Sequence, residues 1–326
     1  MKIIITGATG SLGAYLARWF NAKGHTVIAV GRIENPPIKL FSYAEYIRAD
    51  ITHSFQLPEA DVCIHTAAIA DDKTKAAELY NTNVTGTENV VQAAKNCKTF
   101  IHVSSSSVYT NSNKPLTEEM AGERSNGKLS AYGKSKFFAE EKLKETYTND
   151  SCFILRPRGI YGAGDKVLLP RLLKLVRNNK MLRTGGMNVQ LSMTHFENFA
   201  VAVESCIHSD KKGINIYNVA DDKTYLLYDV LKKLLNVLYG FDLPEKKIPL
   251  WMLKCMSALK IGDATPLFIN TVSKNFMLDI SKIKRELHYT PIMNFYESLP
   301  SMAEWVKNVG GIEVIKKADN SLAWQF

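Results

Sequence analysis

The stretch SAYGKSKFFAEEKL, from Ser130 to Leu143, sets Tyr132 four residues ahead of Lys136. On a helix that spacing puts a phenol and an ammonium on one face. A nearby ammonium favours the phenolate and draws the tyrosine pKa toward the working range. A tyrosine so tuned can take a proton from a secondary alcohol, or give one to a ketone, while hydride moves to or from a nicotinamide. Lysine can also hold the nicotinamide ribose. Alone, the pair is common on any helix surface. Here it has company, because FIHVSSSSVY ends upstream in four serines, Ser104 to Ser107. A hydroxyl at that strand end can bond the substrate oxygen beside the tyrosine. The carboxyl edge of a parallel sheet is where ligands bind in such folds.

Strands and helices must alternate to bring these groups together, and the first half of the chain does alternate. KIIIT is a short β-branched run suited to a buried parallel strand, and SLGAYLARWFNAKGH has helical spacing through Leu12, Leu16 and Phe20. TVIAV, ADVCIHTAA, TFIHVSS and SCFILRP read as further strands, with AAELYNTNVTGTENVVQAAKNC as a helix between them. This order predicts an α/β fold: a doubly wound parallel sheet of Rossmann type. After Asp165 the pattern turns helical, in KVLLPRLLKLVRNN, YLLYDVLKKLLNVLYG, DISKIKRELHYTP and FYESLPSMAEWVKNVG. The expected division is a dinucleotide-binding domain over 1–165 and a smaller, helix-rich substrate lobe over 166–326. The segment near 213–222 is expected to return to the main sheet.

TGATGSLG follows the first strand and opens the first helix, with Gly7, Gly10 and Gly13 at its turns. Glycines there let backbone N–H groups approach a pyrophosphate and let helix pack close to strand. The loop assigns Gly7, Thr9, Gly10, Ser11, Leu12 and Gly13 to cofactor binding. At the end of the second strand an NAD site usually carries an acid for the ribose 2′-hydroxyl. Gly31 stands in that place and Arg32 follows it. A guanidinium can pair a 2′-phosphate, so NADP is preferred, with NAD as the alternative because Glu34 is near. Asp50 is a candidate acceptor for the adenine amine, with Ile51 against the ring.

These motifs resemble the extended short-chain dehydrogenase/reductase family, its epimerase/dehydratase-like group. The resemblance covers nearly the whole chain. It rests on TGATGSLG, HTAA (His65 to Ala68), NVTGT (Asn83 to Thr87), VSSSSVY, YGKSK, LRPRGIYGAGD (Leu155 to Asp165) and DISKIKRELHYTP. It implies Tyr132 as acid/base, Lys136 as its partner, and Ser105 as the donor to the substrate oxygen, with Ser106 the rival for that role. It implies Ala67, Ala68 and Asn83 along the cofactor, and Pro157 and Ile160 near the nicotinamide. Three departures narrow the reading. Ser106 and Ser107 stand where the sugar dehydratases carry Asp-Glu, which disfavours dehydration. Arg158 stands near an asparagine's place, and Leu191 or Gln190 near an arginine's, so the usual diphosphate clamp is incomplete. Arg158, Arg171 or Arg183 could replace it, and Ser106, Ser107, Arg158 and Arg171 are the candidate substrate contacts. THFEN and the apolar IPLWMLKCMSALKIG look like the 3β-hydroxysteroid dehydrogenase-like branch, which acts on hydrophobic ring alcohols and ketones.

The expected function is therefore NAD(P)-dependent interconversion of a secondary alcohol and a ketone on a hydrophobic or ring-bearing small molecule. A nucleotide-sugar 4-epimerase or 4-ketoreductase is the alternative. A non-catalytic NADP-sensing regulator is disfavoured by the intact Tyr132 and Lys136. The net charge of +9 suits an anionic substrate, a 2′-phosphate or an acidic membrane surface. No nucleic-acid motif, metal site or membrane-spanning run is read. Peripheral membrane contact stays open through the apolar segment. The five scattered cysteines suggest reduced thiols and a cytoplasmic protein. A homodimer is common in the family.

Overall fold

A computed structural model of the chain describes residues 1–71, 73–122, 129–148, 150–185, 187–259, 266–317 and 320–325. The run KIIIT forms β1 (Lys2–Thr6), and its neighbours are β2 (Thr26–Gly31), β3 (Glu45–Arg48) and β4 (Val62–His65). Further along come β5 (Thr99–Val103), β6 (Ser151–Pro157) and β7 (Gly213–Val219). Together they build a seven-stranded sheet in the order β7-β6-β5-β4-β1-β2-β3. All its pairings are parallel. The chain steps from β1 out to β2 and β3, then crosses to β4 on the other side. That reversal opens a crevice at the carboxyl ends of β1 and β4.

Side-chain alternation splits β1 between two cores. Ile3 and Ile5 pack with Leu16 and Phe20 of helix α1 (Ser11–Ala22), whereas Ile4 packs with Val90, Val91 and Leu143 on the opposite face. Helices α2 (Gly86–Ala93) and α3 (Ala131–Thr146) cover that opposite face. A third cluster gathers Leu169, Leu231, Leu234, Phe295 and Trp305 from the second half. The five cysteines are free, and all but Cys255 are buried.

One segment differs from its sequence reading. KVLLPRLLKLVRNN is not one helix. The helix stops at Leu173, and Val176–Arg177 pairs antiparallel with the strand Lys180–Thr184. Asn178 and Asn179 both take positive φ, 51° and 54°, as a two-residue hairpin turn demands. The apolar segment forms the helix Leu250–Ala258, but only Leu253 in it is buried. Trp251 is 65% exposed and Leu259 70%, so it is not an ordinary core helix. Lys260 lies outside the described residues. Among the described residues, no helix is long and apolar enough to cross a membrane.

Candidate active site

Tyr132 sits in the first turn of α3, whose N-cap Ser130 accepts a 3.1 Å bond from the Gly133 N–H. The helix presses against the serine loop after β5. A Cβ on Gly133 would lie 2.2 Å from the Ser107 carbonyl oxygen. Only glycine permits that approach. It brings Tyr132 and the serines together. Ser105 opens a short 3-10 turn over Ser106–Val108, with its Oγ accepting from the Ser107 N–H and donating to the Ser107 hydroxyl, both at 3.1 Å. Ser105 and Ser107 are half-buried, whereas Ser106 is 1% exposed. Of the two rivals, Ser105 is the one partly open to solvent.

Lys136 is buried one turn below Tyr132, and its Nζ donates to the Val103 carbonyl at 2.8 Å. Burial pushes its pKa down to about 8, against an upward pull from Glu140. Ammonium therefore dominates below about pH 8 and amine above it. A step that needs the cation beside the phenol is expected to fade as pH rises through about 8. A pH profile of kcat/KM checks this, and a flat profile across that range overturns it. The stability sign is the opposite. The folded pKa lies below the unfolded one, so the fold gains stability as pH climbs from about 8 toward 10.5.

Glu140 was not singled out in the sequence, yet it anchors the site from below. Its carboxylate accepts two bonds from Arg156, at 2.9 and 2.5 Å, and one from the Ser104 hydroxyl at 2.5 Å. Arg156 also donates to the Tyr109 hydroxyl at 2.8 Å and to the Glu118 carbonyl at 2.7 Å. This buried cluster ties α3, β6 and the serine loop into one body.

The glycine loop fits a dinucleotide pyrophosphate. Gly7 has φ of +70°, and a Cβ there would lie 2.7 Å from Ala67 backbone atoms. A Cβ on Gly13 would lie 2.4 Å from the Gly7 carbonyl, so α1 packs tightly on the loop. No side chain caps α1 and no acid occupies its first turn, which leaves those N–H groups to an anion. Thr9, Gly10, Ser11 and Leu12 line this turn, with Ser11 Oγ accepting from the Lys166 N–H at 3.3 Å. Ala67 and Ala68 follow β4 beside Gly7, and Pro157 and Ile160 lie at the end of β6 and just beyond.

Other predicted residues have different partners. Asn83 does not line the crevice. It is fully buried, accepting from the Ile69 N–H at 2.8 Å and donating to the Ile69 carbonyl at 3.0 Å and to Ser135 at 2.9 Å. It thus fixes the Ala67–Ala68 loop to the helix that bears Tyr132. Ile51 is buried under Gly86 rather than open at the surface. Asp50 is exposed, and its Oδ1 is engaged by Thr52 at 2.9 and 2.8 Å. Arg171 is exposed and donates to the Ala70 carbonyl at 3.2 Å, so it braces the loop after β4. Arg183 pairs with Glu245 at 3.2 Å and stacks on Tyr228. Arg158 is different: it stacks 3.8 Å over the Phe276 ring and has no ion-pair partner among the described residues.

The end of β2 explains its missing acid. Tyr46 of β3 donates to the Ile33 carbonyl at 2.7 Å, and its hydroxyl would lie 3.0 Å from a Cβ on Gly31. A side chain at Gly31 would crowd that phenol, which would have to give by a few tenths of an ångström. Two exposed arginines flank the place, Arg32 and Arg48, and Glu34 is drawn onto Arg48 at 3.1 Å.

Known proteins are similar to this chain. The family model described as the NAD dependent epimerase/dehydratase family matches residues 3–220. A 2-alkyl-3-oxoalkanoate reductase of Stenotrophomonas maltophilia (strain K279a) is 30% identical over 213 residues, 62% of this chain and 64% of its own length. A UDP-glucose 4-epimerase of Vibrio cholerae is 26% identical over 318 residues, 93% of this chain and 94% of its own. The crystal structure of a UDP-glucuronic acid 4-epimerase from Bacillus cereus, in complex with NAD, has a TM-score of 0.75 at 21% identity. That match covers 95% of this chain and 99% of the other, and it is a likeness of fold.

Proposed function

The chain belongs to the NAD dependent epimerase/dehydratase family, and within it we propose an NADP(H)-dependent reductase that interconverts a ketone and a secondary alcohol on a hydrophobic or ring-bearing substrate. That it is an NAD(P)-dependent enzyme of the extended short-chain dehydrogenase/reductase type follows from the family. A bound nicotinamide dinucleotide supplies or accepts the hydride. Tyr132 gives the ketone oxygen its proton in reduction and takes it back in oxidation. Lys136 holds a positive charge beneath the phenol, and Ser105 donates to the same substrate oxygen.

The observation that carries the NADP reading is the end of β2. The phenol of Tyr46 crowds the place of an acid, and Arg32, joined by Arg48 when it exchanges Glu34 for the ligand, offers a guanidinium to a 2′-phosphate. A freely exchanging NADP suits a reductase. The second reading, a nucleotide-sugar 4-epimerase or 4-ketoreductase, is favoured by the similarity to the Vibrio cholerae enzyme along most of the chain. It uses the same Tyr132, Lys136 and Ser105, but an epimerase regenerates its cofactor in place and retains it.

Two measurements separate them. Mass spectrometry of dinucleotide released from denatured, freshly purified protein is expected to find little. Equilibrium binding is expected to favour NADPH over NADH, with Arg32→Ala and Arg48→Ala each narrowing the preference by about tenfold, the worth of one charge-assisted contact. Stoichiometric tightly held NAD would sink the reductase reading.

A further inference from the structure

Arg158 follows the last residue of β6, and its backbone is clamped on both sides. The Thr194 hydroxyl accepts from the Arg158 N–H at 3.1 Å, and its single proton is shared between the Val219 carbonyl at 2.8 Å and the Arg158 carbonyl at 3.0 Å. The guanidinium lies 3.8 Å from the centre of the Phe276 ring. Phe276 belongs to a segment that bridges to Leu191, and Leu278 beside it bridges to Leu116 of the loop after β5. So Arg158 stands where β6, the loop beyond the serines and the second half of the chain converge. The serine loop leaves the sheet next to it, since the Ser104 N–H donates to the Leu155 carbonyl at 2.8 Å.

A cation in such a place normally has a carboxylate. Arg156, two residues earlier, has Glu140, and Arg183 has Glu245. Arg158 has no ion-pair partner among the described residues, although it is only half-exposed. Burial pushes its pKa down to about 10, with neither acid nor second cation among the described residues acting on it. Many atoms surround the side chain, yet part of it stays open to solvent. A desolvated charge without a partner destabilises the fold unless a ligand completes it. One guanidinium on an aromatic wall fits one compact monoanion and leaves the two charges of a diphosphate half-neutralised.

We propose that Arg158 grips a carboxylate on the substrate, so that the molecule reduced is an oxo acid whose carboxylate lies close to the reacting ketone. This rests on the reductase reading above. The carboxylate takes no part in the chemistry. It orients the ketone toward Tyr132 and Ser105, and selects acids over neutral ketones.

The test uses 3-hydroxydecanoate and its methyl ester, oxidised with NADP⁺ by the full chain. The two substrates differ in charge and by one methyl group. The acid is expected to exceed the ester in kcat/KM by about tenfold or more, the worth of one charge-assisted pair. Arg158→Met, which keeps a stem over Phe276, should bring that ratio to about one, mainly through KM, and Arg158→Lys should keep part of it. Circular dichroism of both variants establishes that they fold. Equal turnover of acid and ester by the wild-type protein overturns the carboxylate grip and leaves the reductase reading standing. Turnover of neither overturns the carboxylate grip, and epimerisation of UDP-glucose alongside it overturns the reductase reading as well.

Discussion

Glu140→Gln is expected to cost the fold about 3–5 kcal/mol, the usual effect of removing one partner of a buried ion pair. The side chains of Arg156 and Glu140 are 2% and 0% exposed. Burial by itself lowers the arginine's pKa, and Glu140 overrides it and holds the guanidinium charged. With a glutamine there, that charge stays desolvated and loses its counter-ion. Its bonds to Tyr109 and Glu118 are with neutral groups and cannot replace it. Urea denaturation should show the midpoint fall with an unchanged slope. A loss under about 1 kcal/mol would place this pair with ordinary surface bridges and refute the claim. The variant has a second signature. Glu140 raises the pKa of Lys136, so its removal moves the alkaline fall in activity below about pH 8. A merely destabilised enzyme, assayed well below its melting point, would keep the wild-type profile.

Most of the sheet was legible because runs such as KIIIT and TVIAV are apolar and largely β-branched and α1 carries an apolar stripe, whereas the edge strand EYIR (Glu45–Arg48) lacks such a pattern and was not read. The two kinds of period seldom imitate each other. The leucine-rich KVLLPRLLKLVRNN misled because a short apolar run serves a buried helix or a strand equally well. Only the paired positive φ values of Asn178 and Asn179 decide it. At the site, Tyr132, Lys136 and the serines were legible from local spacing. Their supports were not. Glu140 meets Arg156 across 16 residues, and Thr194 meets Arg158 across 36. No spacing rule links such pairs. Asn83 shows the converse limit. Its place in a motif was plain, but whether an amide faces a ligand or the chain depends on neighbours, and here Ile69 and Ser135 engage it. Gly31 could be read as a missing acid, yet the reason lies in strand register, which sets Tyr46 of β3 opposite Ala29 and so beside Gly31.

Tyr132→Phe is expected to lower kcat by roughly 10²–10⁴-fold with dinucleotide affinity unchanged, because it removes the proton and little else. Gly133→Ala should lose about 100-fold by a different route, the cost of an ångström-scale misplacement of a reacting group. A methyl 2.2 Å from the Ser107 carbonyl oxygen cannot be accommodated by a side-chain rotation, since both partners are backbone. Either the first turn of α3 or the serine loop must withdraw, and Tyr132 and Ser105 then part. The helix should survive, because alanine is the better helix former and the body of α3 is held by Lys136, Ala139, Glu140 and Leu143. Combining the two changes distinguishes the mechanisms. If Gly133 acts only by placing the phenol, Gly133→Ala should cost far less on the Tyr132→Phe background than alone, since no proton remains to be misplaced. Fully additive losses would mean that Gly133 serves the Ser105 hydroxyl independently of the tyrosine. A Gly133→Ala enzyme with wild-type kcat would show that this close approach has no part in catalysis.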